Sequence, residues 1–185
     1  MNSRQFLVMI CLMLLSVSCY IFFIRGIVVP EEEDFSEVIS TASVTEEEQT
    51  EIDMYLDKFY RDCNNAGLFP VRPPKIVIAF ANFDNYKGTT HMHGFSLGFQ
   101  QDDFIEIYIN RTSWAKFNKQ QRYYLMYHEL AHDVLNLDDL EEDPQYYKHL
   151  MYPVISAYDQ LSMDDFIENS RASFEELAAE QTFYQ

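Results

Sequence analysis

The sequence predicts an α+β domain, a small mixed sheet with a long helix in its second half and another at its C-terminus, carried behind an N-terminal apolar segment. Three observations lead there. Capping signatures open helices at Thr45, Asn118 and Ser162; two β-rich runs, Lys75–Phe83 and Asp103–Ile109, lie between the first two; and Phe6–Ile24 carries no charge. Composition narrows the class further. The 185 residues hold 30 Asp and Glu against 13 Lys and Arg, a net charge of −17, which argues against nucleic acid as a partner. Fifteen Phe and 13 Tyr supply core material that a disordered acidic chain lacks, and three Cys, an odd number, make no disulfide framework.

Residues 1–29 read as a transmembrane signal-anchor, because the apolar run is long enough to cross a hydrocarbon core as a helix and is flanked by Arg4 and Arg25. Leu15–Cys19 also loosely fits a lipoprotein signal, and a cut near Ser18 would give a secreted chain. Each version puts the rest of the chain outside the cytoplasm, with the membrane as a partner in the anchored form. Residues 30–44, with Glu31-Glu32-Glu33-Asp34 followed by Ser and Thr, read as an acidic, solvated stalk. The domain then spans 45–185.

Thr45-Glu46-Glu47-Glu48 is a capping box, and the helix it opens places Ile52, Leu56, Phe59 and Cys63 on one face before Asn64, Asn65 and Gly67 stop it. Pro70, Pro73 and Pro74 lead into Lys75–Phe83, whose nearly continuous apolar run reads as the central strand. Asp103–Ile109 alternates, so that strand is expected to have one wet and one buried face. Between them lies a glycine-punctuated stretch with His91 and His93. An Asn118…Gln121 cap opens a helix running through Leu135.

That helix carries His128-Glu129-Leu130-Ala131-His132. Histidines four apart stand one above the other on a helix face, so both imidazoles reach one ion at about 2 Å, with Glu129 beside it as a base for water. A catalytic zinc takes a third protein ligand and keeps one position open. Asn136-Leu137-Asp138-Asp139 follows at once, with Asn136 suited to the left-handed conformation that reverses the chain and presents a carboxylate.

With Leu150-Met151-Tyr152-Pro153 downstream, the pattern from about Asn118 to Ile155 resembles the metzincin zinc endopeptidases, most closely the matrix-metalloproteinase form H-E-x-G-H-x-x-G-L-x-H…L-M-Y-P. The resemblance implies a zincin-like fold, a Zn2+ cofactor on His128 and His132, Met151 in a turn beneath the metal, and a peptide or protein substrate. It also implies hydrolysis by a metal-activated water with Glu129 as general base. Carboxylates stand where the family has its third histidine: strict spacing from His132 selects Asp138, whereas alignment on the turn makes Asp133 a one-residue insertion and favours Asp139. Ala131 replaces the usual glycine, no tyrosine follows Met151 by two positions, and no P-R-C-G propeptide switch is present. By the same analogy the strand ending near Ile109 forms the upper rim of the cleft.

Two alternatives stand beside this. A glutamate of the C-terminal helix, Glu168, Glu175 or Glu176, could be the third ligand, as in gluzincins; or zinc could only stabilise a membrane-tethered binding module. His91-Met92-His93 could hold a second, structural ion, although a polar loop is the plainer reading, and Asp133 reads as a solvated or supporting carboxylate. The C-terminal helix is expected to pack Phe166, Ile167, Phe174 and Leu177.

Overall fold

The computed structural model describes residues 34–84, 92–98, 100–101 and 103–183. All but Asp34 belong to the compact unit Phe35–Gln185. The expected anchor, 1–29, lies outside the described residues, among which no helix is long and apolar enough to cross a membrane.

Five α-helices and three strands make up this unit among the described residues: α1 (Ser36–Ser40), α2 (Glu46–Ala66), β1 (Lys75–Ala81), β2 (Gly94–Ser96), β3 (Phe104–Asn110), α3 (Arg111–Lys116), α4 (Lys119–Leu135) and α5 (Met163–Phe183). The sheet is mixed, in the order β1-β3-β2, with β1 parallel and β2 antiparallel to β3. The chain is therefore α+β.

Local chemistry places the helix ends. Thr45 Oγ1 accepts from the Glu48 amide while Glu48 returns to the Thr45 amide at 2.8 Å, and α2 stops at Gly67, left-handed at φ 90°. Asn118 and Gln121 make the same reciprocal pair at the start of α4. Ser162 and Asp165 do so ahead of α5.

Two apolar layers lie on opposite faces of the sheet because strand side chains alternate. Ile78, Phe80, Ile105, Ile107 and Ile109 face the helical layer, where α2, α4 and α5 pack against one another around Phe59, Tyr127 and Phe174. The Phe59 ring meets those of Tyr127 and Phe174 edge-on at 5.2 and 5.5 Å. Ala79, Ala81, Phe95 and Tyr108 face the other way, onto Val38. Cys63 is a buried apolar side chain, as its place on α2 predicts.

Four expectations are corrected. Residues 35–44 are not a solvated stalk: Phe35 stacks on Phe95 at 4.2 Å, Val38 is buried, and Ser43 exchanges two backbone hydrogen bonds with Phe80. Phe35 and Val38 supply the apolar side chains that hold this segment on the sheet. Lys75–Ala81 is not the central strand either. Its continuous apolar run reports two covered faces, helices on one and α1 on the other, whereas position in the sheet is decided by edge pairing. The centre is β3, where Tyr108 is buried on the face expected to be wet, beneath Phe95. On α5, Phe166 and Phe174 are buried but Ile167 is exposed.

Replacing Phe59 by Ala should lower unfolding stability by about 3–5 kcal/mol, and Val38→Ala by about 1–3 kcal/mol. Urea denaturation measures both. A Val38→Ala change within about 0.5 kcal/mol of zero would show that α1 contributes nothing.

Candidate metal centre

α4 is the scaffold of the site. Its apolar side, with Tyr123, Tyr127, Leu130 and Ala131 buried, fixes its rotation against α2 and α5, and the turns bearing His128, Glu129 and His132 then face a cleft of about 410 Å³. That cleft is closed by β2 on one side and by Tyr124, Pro153 and Ile155 on the other.

The imidazoles are held from behind. His128 Nδ1 lies 2.9 Å from the Leu150 carbonyl and His132 Nδ1 lies 2.6 Å from the Leu137 carbonyl. A carbonyl oxygen only accepts, so each Nδ1 carries the proton and each Nε2 presents a lone pair. The two Nε2 atoms are 3.1 Å apart, and Asp139 Oδ1 lies 3.1 Å from the first and 3.5 Å from the second. Two lone pairs and a carboxylate converging in this way repel unless a positive charge sits among them. Donors on a tetrahedron about 2.1 Å from its centre stand roughly 3.4 Å apart, close to these three spacings. His128, His132 and Asp139 could thus hold a metal ion.

The chain reversal expected at Asn136 is present, in the left-handed conformation at φ 54°. Of the two aspartates beyond it, Asp139 reaches the histidines; Asp138 lines the cleft but is not one of the three. Burial acts against ionisation of Asp139, but the nearby His128 and His132 outweigh it and hold its carboxyl below the ordinary aspartate range. Burial acts against charge on His132 too, and is outweighed by Asp139, Glu129 and the Leu137 carbonyl, so its pKa is raised.

Three successive carbonyls of the segment 150–152 brace this corner. Leu150 O takes His128, Met151 O accepts the Leu140 amide at 2.9 Å, and Tyr152 O accepts the Tyr124 hydroxyl. Met151 itself is 1% exposed.

Glu129 is buried beside the histidines. Burial raises its pKa against the opposing influence of His128 and His132. Gly94 is what leaves it room, since a Cβ at that position would lie 2.7 Å from Glu129 Oε1.

Of the two readings of Asp133, solvated or supporting, the structure shows the supporting one: it is 3% exposed. Its Oδ2 accepts from Ser96 Oγ (2.7 Å), the Gly98 amide (3.1 Å) and the Glu106 amide (3.1 Å), which fastens β2 and β3 to α4. Gly98 is required there, because an added Cβ would fall 2.2 Å from that oxygen. The rim of the cleft is also reassigned. β3 is paired on both edges, so the strand beside the cleft is β2, a three-residue element that the glycine-punctuated stretch signalled only as a loop.

Glu168, Glu175 and Glu176 are exposed on α5 and join no metal-capable group with the histidine pair among the described residues; Glu176 lies 3.8 Å from His149 instead. His91 lies outside the described residues. His93 is 2.9 Å from Ser113 Oγ and rests on the Phe117 ring.

Comparison with protein-family models, curated proteins and solved structures finds no match to this chain.

If the three donors hold a divalent metal ion, Asp139→Ala should weaken its binding by more than about 100-fold, while Asp138→Ala stays within roughly threefold of the wild type. Competition against a chromogenic chelator reads both. Equal losses would mean that the two aspartates are interchangeable around the turn.

Proposed function

We propose that this chain is a zinc-dependent endopeptidase in which His128, His132 and Asp139 hold Zn2+ and Glu129 is the general base. The observation that carries the reading is a buried carboxyl of raised proton affinity beside three converging donors, at the floor of a cleft. A structural zinc site is closed by four protein ligands and needs no base; three donors with an adjacent carboxylate suit a catalytic one. Two imidazoles and a carboxylate are also a donor set that zinc accepts.

Bound there, zinc would supply Lewis acidity toward a substrate carbonyl and lower the pKa of water. The protein's own part is proton traffic and positioning. Glu129 takes the proton from the attacking water, and its raised pKa lets it keep that proton until the leaving nitrogen needs it. The histidines stay in one tautomer because the Leu150 and Leu137 carbonyls hold their far nitrogens. The edge strand β2 offers backbone groups along the cleft, against which an extended peptide can pair. In this reading the apolar segment near the N-terminus tethers the domain outside the cytoplasm.

Glu129→Gln should reduce cleavage of an unfolded protein or a peptide library by at least about 10³-fold with one zinc per chain retained. Chelation should abolish the same activity, and added zinc should restore it. Retained cleavage in the glutamine variant would sink the base assignment. A wild type that binds zinc and cleaves nothing would leave a binding module stabilised by its metal.

A further inference from the structure

Behind the three donors the chain turns once more, between His149 and Tyr152, and each amide of that turn after His149 has a partner. The Leu150 amide donates to Ser173 Oγ (3.2 Å), the Tyr152 amide to the His149 carbonyl (3.1 Å), and the Met151 amide to His149 Nδ1 (3.1 Å). An amide only donates, so Nδ1 of His149 carries a lone pair and the proton of the neutral ring sits on Nε2. This is the reverse of His128 and His132, whose Nδ1 atoms face carbonyls. The His149 ring thus does what Asn82, Asn110 and Asp143 do toward the amides of Asp84, Thr112 and Gln145, each accepting from the residue two positions on. It differs from them in losing its acceptor to a proton in the range from about pH 5 to 8.

Protonation of His149 sets a second N–H against that of Met151, and the hydrogen bond cannot form. Met151 is 1% exposed, so water is not at hand to replace the ring. The His149 side chain itself is 26% exposed, so protons reach it from solvent. Glu176 on α5 faces the ring, its Oε2 3.8 Å from Nε2, and Asp138 and Glu180 line the same hollow of about 200 Å³. Lys148, the adjacent cation, lies over the Tyr147 ring at 5.6 Å. Burial opposes a charge on the ring more strongly than Glu176 favours one, which holds the His149 pKa below its ordinary value. The Met151 amide acts in the same direction, because only the neutral ring accepts from it. What the turn carries is the Leu150 carbonyl, which fixes His128, and the Met151 carbonyl, which holds the loop bearing Asp139 through the Leu140 amide.

We infer that neutral His149 is a positioning residue: by accepting the Met151 amide it holds the turn that aims His128 and Asp139, and its protonation releases that turn. The consequence for metal binding rests on the reading of the three donors as a zinc site; the hydrogen bond and its loss do not. The folded-state pKa of His149 lies below the unfolded value of about 6.5. The stability this group contributes is therefore present above about pH 6.5 and is lost as the pH falls through the folded-state value.

His149→Asn separates titration from structure, since its Oδ1 takes the place of Nδ1 and accepts the same amide whatever the pH. In the full-length protein held metal-free by a chelator, Tm should fall further between about pH 7.5 and about pH 5 in the wild type than in His149→Asn. His128 and His132 titrate in both and cancel in the difference. His149→Ala should be the least stable of the three at about pH 7.5, with His149→Asn recovering most of the loss. By NMR the Met151 amide should shift with the same midpoint as the His149 ring. Affinity for Zn2+ at about pH 7.5 should drop about tenfold in His149→Ala and stay within roughly threefold of the wild type in His149→Asn; at about pH 5.5 the Asn variant should bind more tightly than the wild type. The inference is overturned by parallel pH profiles of the wild type and His149→Asn, by equal losses in the Asn and Ala variants, or by a Met151 amide indifferent to the His149 titration. A chain that binds no Zn2+ would end the metal reading and not this one, which the stability and amide comparisons decide.

Discussion

Everything at the candidate centre depends on two hydrogen bonds that do not touch it. Free imidazole exists in two tautomers and turns about two side-chain bonds, and two such rings would not aim their Nε2 atoms at one point unaided. The Leu150 and Leu137 carbonyls remove that freedom by accepting from Nδ1, at 2.9 and 2.6 Å. Each carbonyl comes from backbone following α4, one from the turn at its end and one from the segment that returns beneath it. The face on which the three donors converge is therefore built from behind, by the path the chain takes after the helix.

That path is itself held by its own backbone groups. Met151 O accepts the Leu140 amide, and Tyr152 O takes the Tyr124 hydroxyl, so the segment around Met151 is joined both to the loop bearing Asp139 and to α4. On the opposite side Asp133, one residue beyond His132, performs the equivalent service for the sheet through Ser96, Gly98 and Glu106. A single helix thus reaches outward in both directions from consecutive turns. Gly94 and Gly98 mark where β2 comes so close that no Cβ is admitted. These are packing requirements of the site, not turn requirements of the loop.

Much of the local structure was legible because it rests on short-range chemistry. The reciprocal caps at Thr45–Glu48 and Asn118–Gln121, the stop at Gly67 and the left-handed Asn136 are each decided within a few residues. The positions of His128 and His132 on one helix face follow from helical period alone. Asp139 was legible only as one of two candidates: a single inserted residue shifts the count, and only the shape of the turn decides which carboxylate arrives. The strand order is not legible in the sequence because an apolar run records coverage of faces. Pairing along edges leaves no such trace, and for the same reason a strand of three residues, Gly94–Ser96, read as loop.

The sequence by itself determined the three long helices and where they start, the histidine pair with its neighbouring glutamate and the reversal that follows, since each is a matter of local hydrogen bonding and periodicity. Tertiary structure decided what those pieces face. It selected Asp139 over Asp138, packed residues 35–44 onto the sheet as its second cover, placed β3 at the centre and β2 at the rim, and buried Asp133 with one oxygen bound and the other empty. The physical reason is common to all of these. They depend on contacts between segments distant along the chain, where the outcome is set by which surfaces exclude water from each other and which polar groups are then left to find partners.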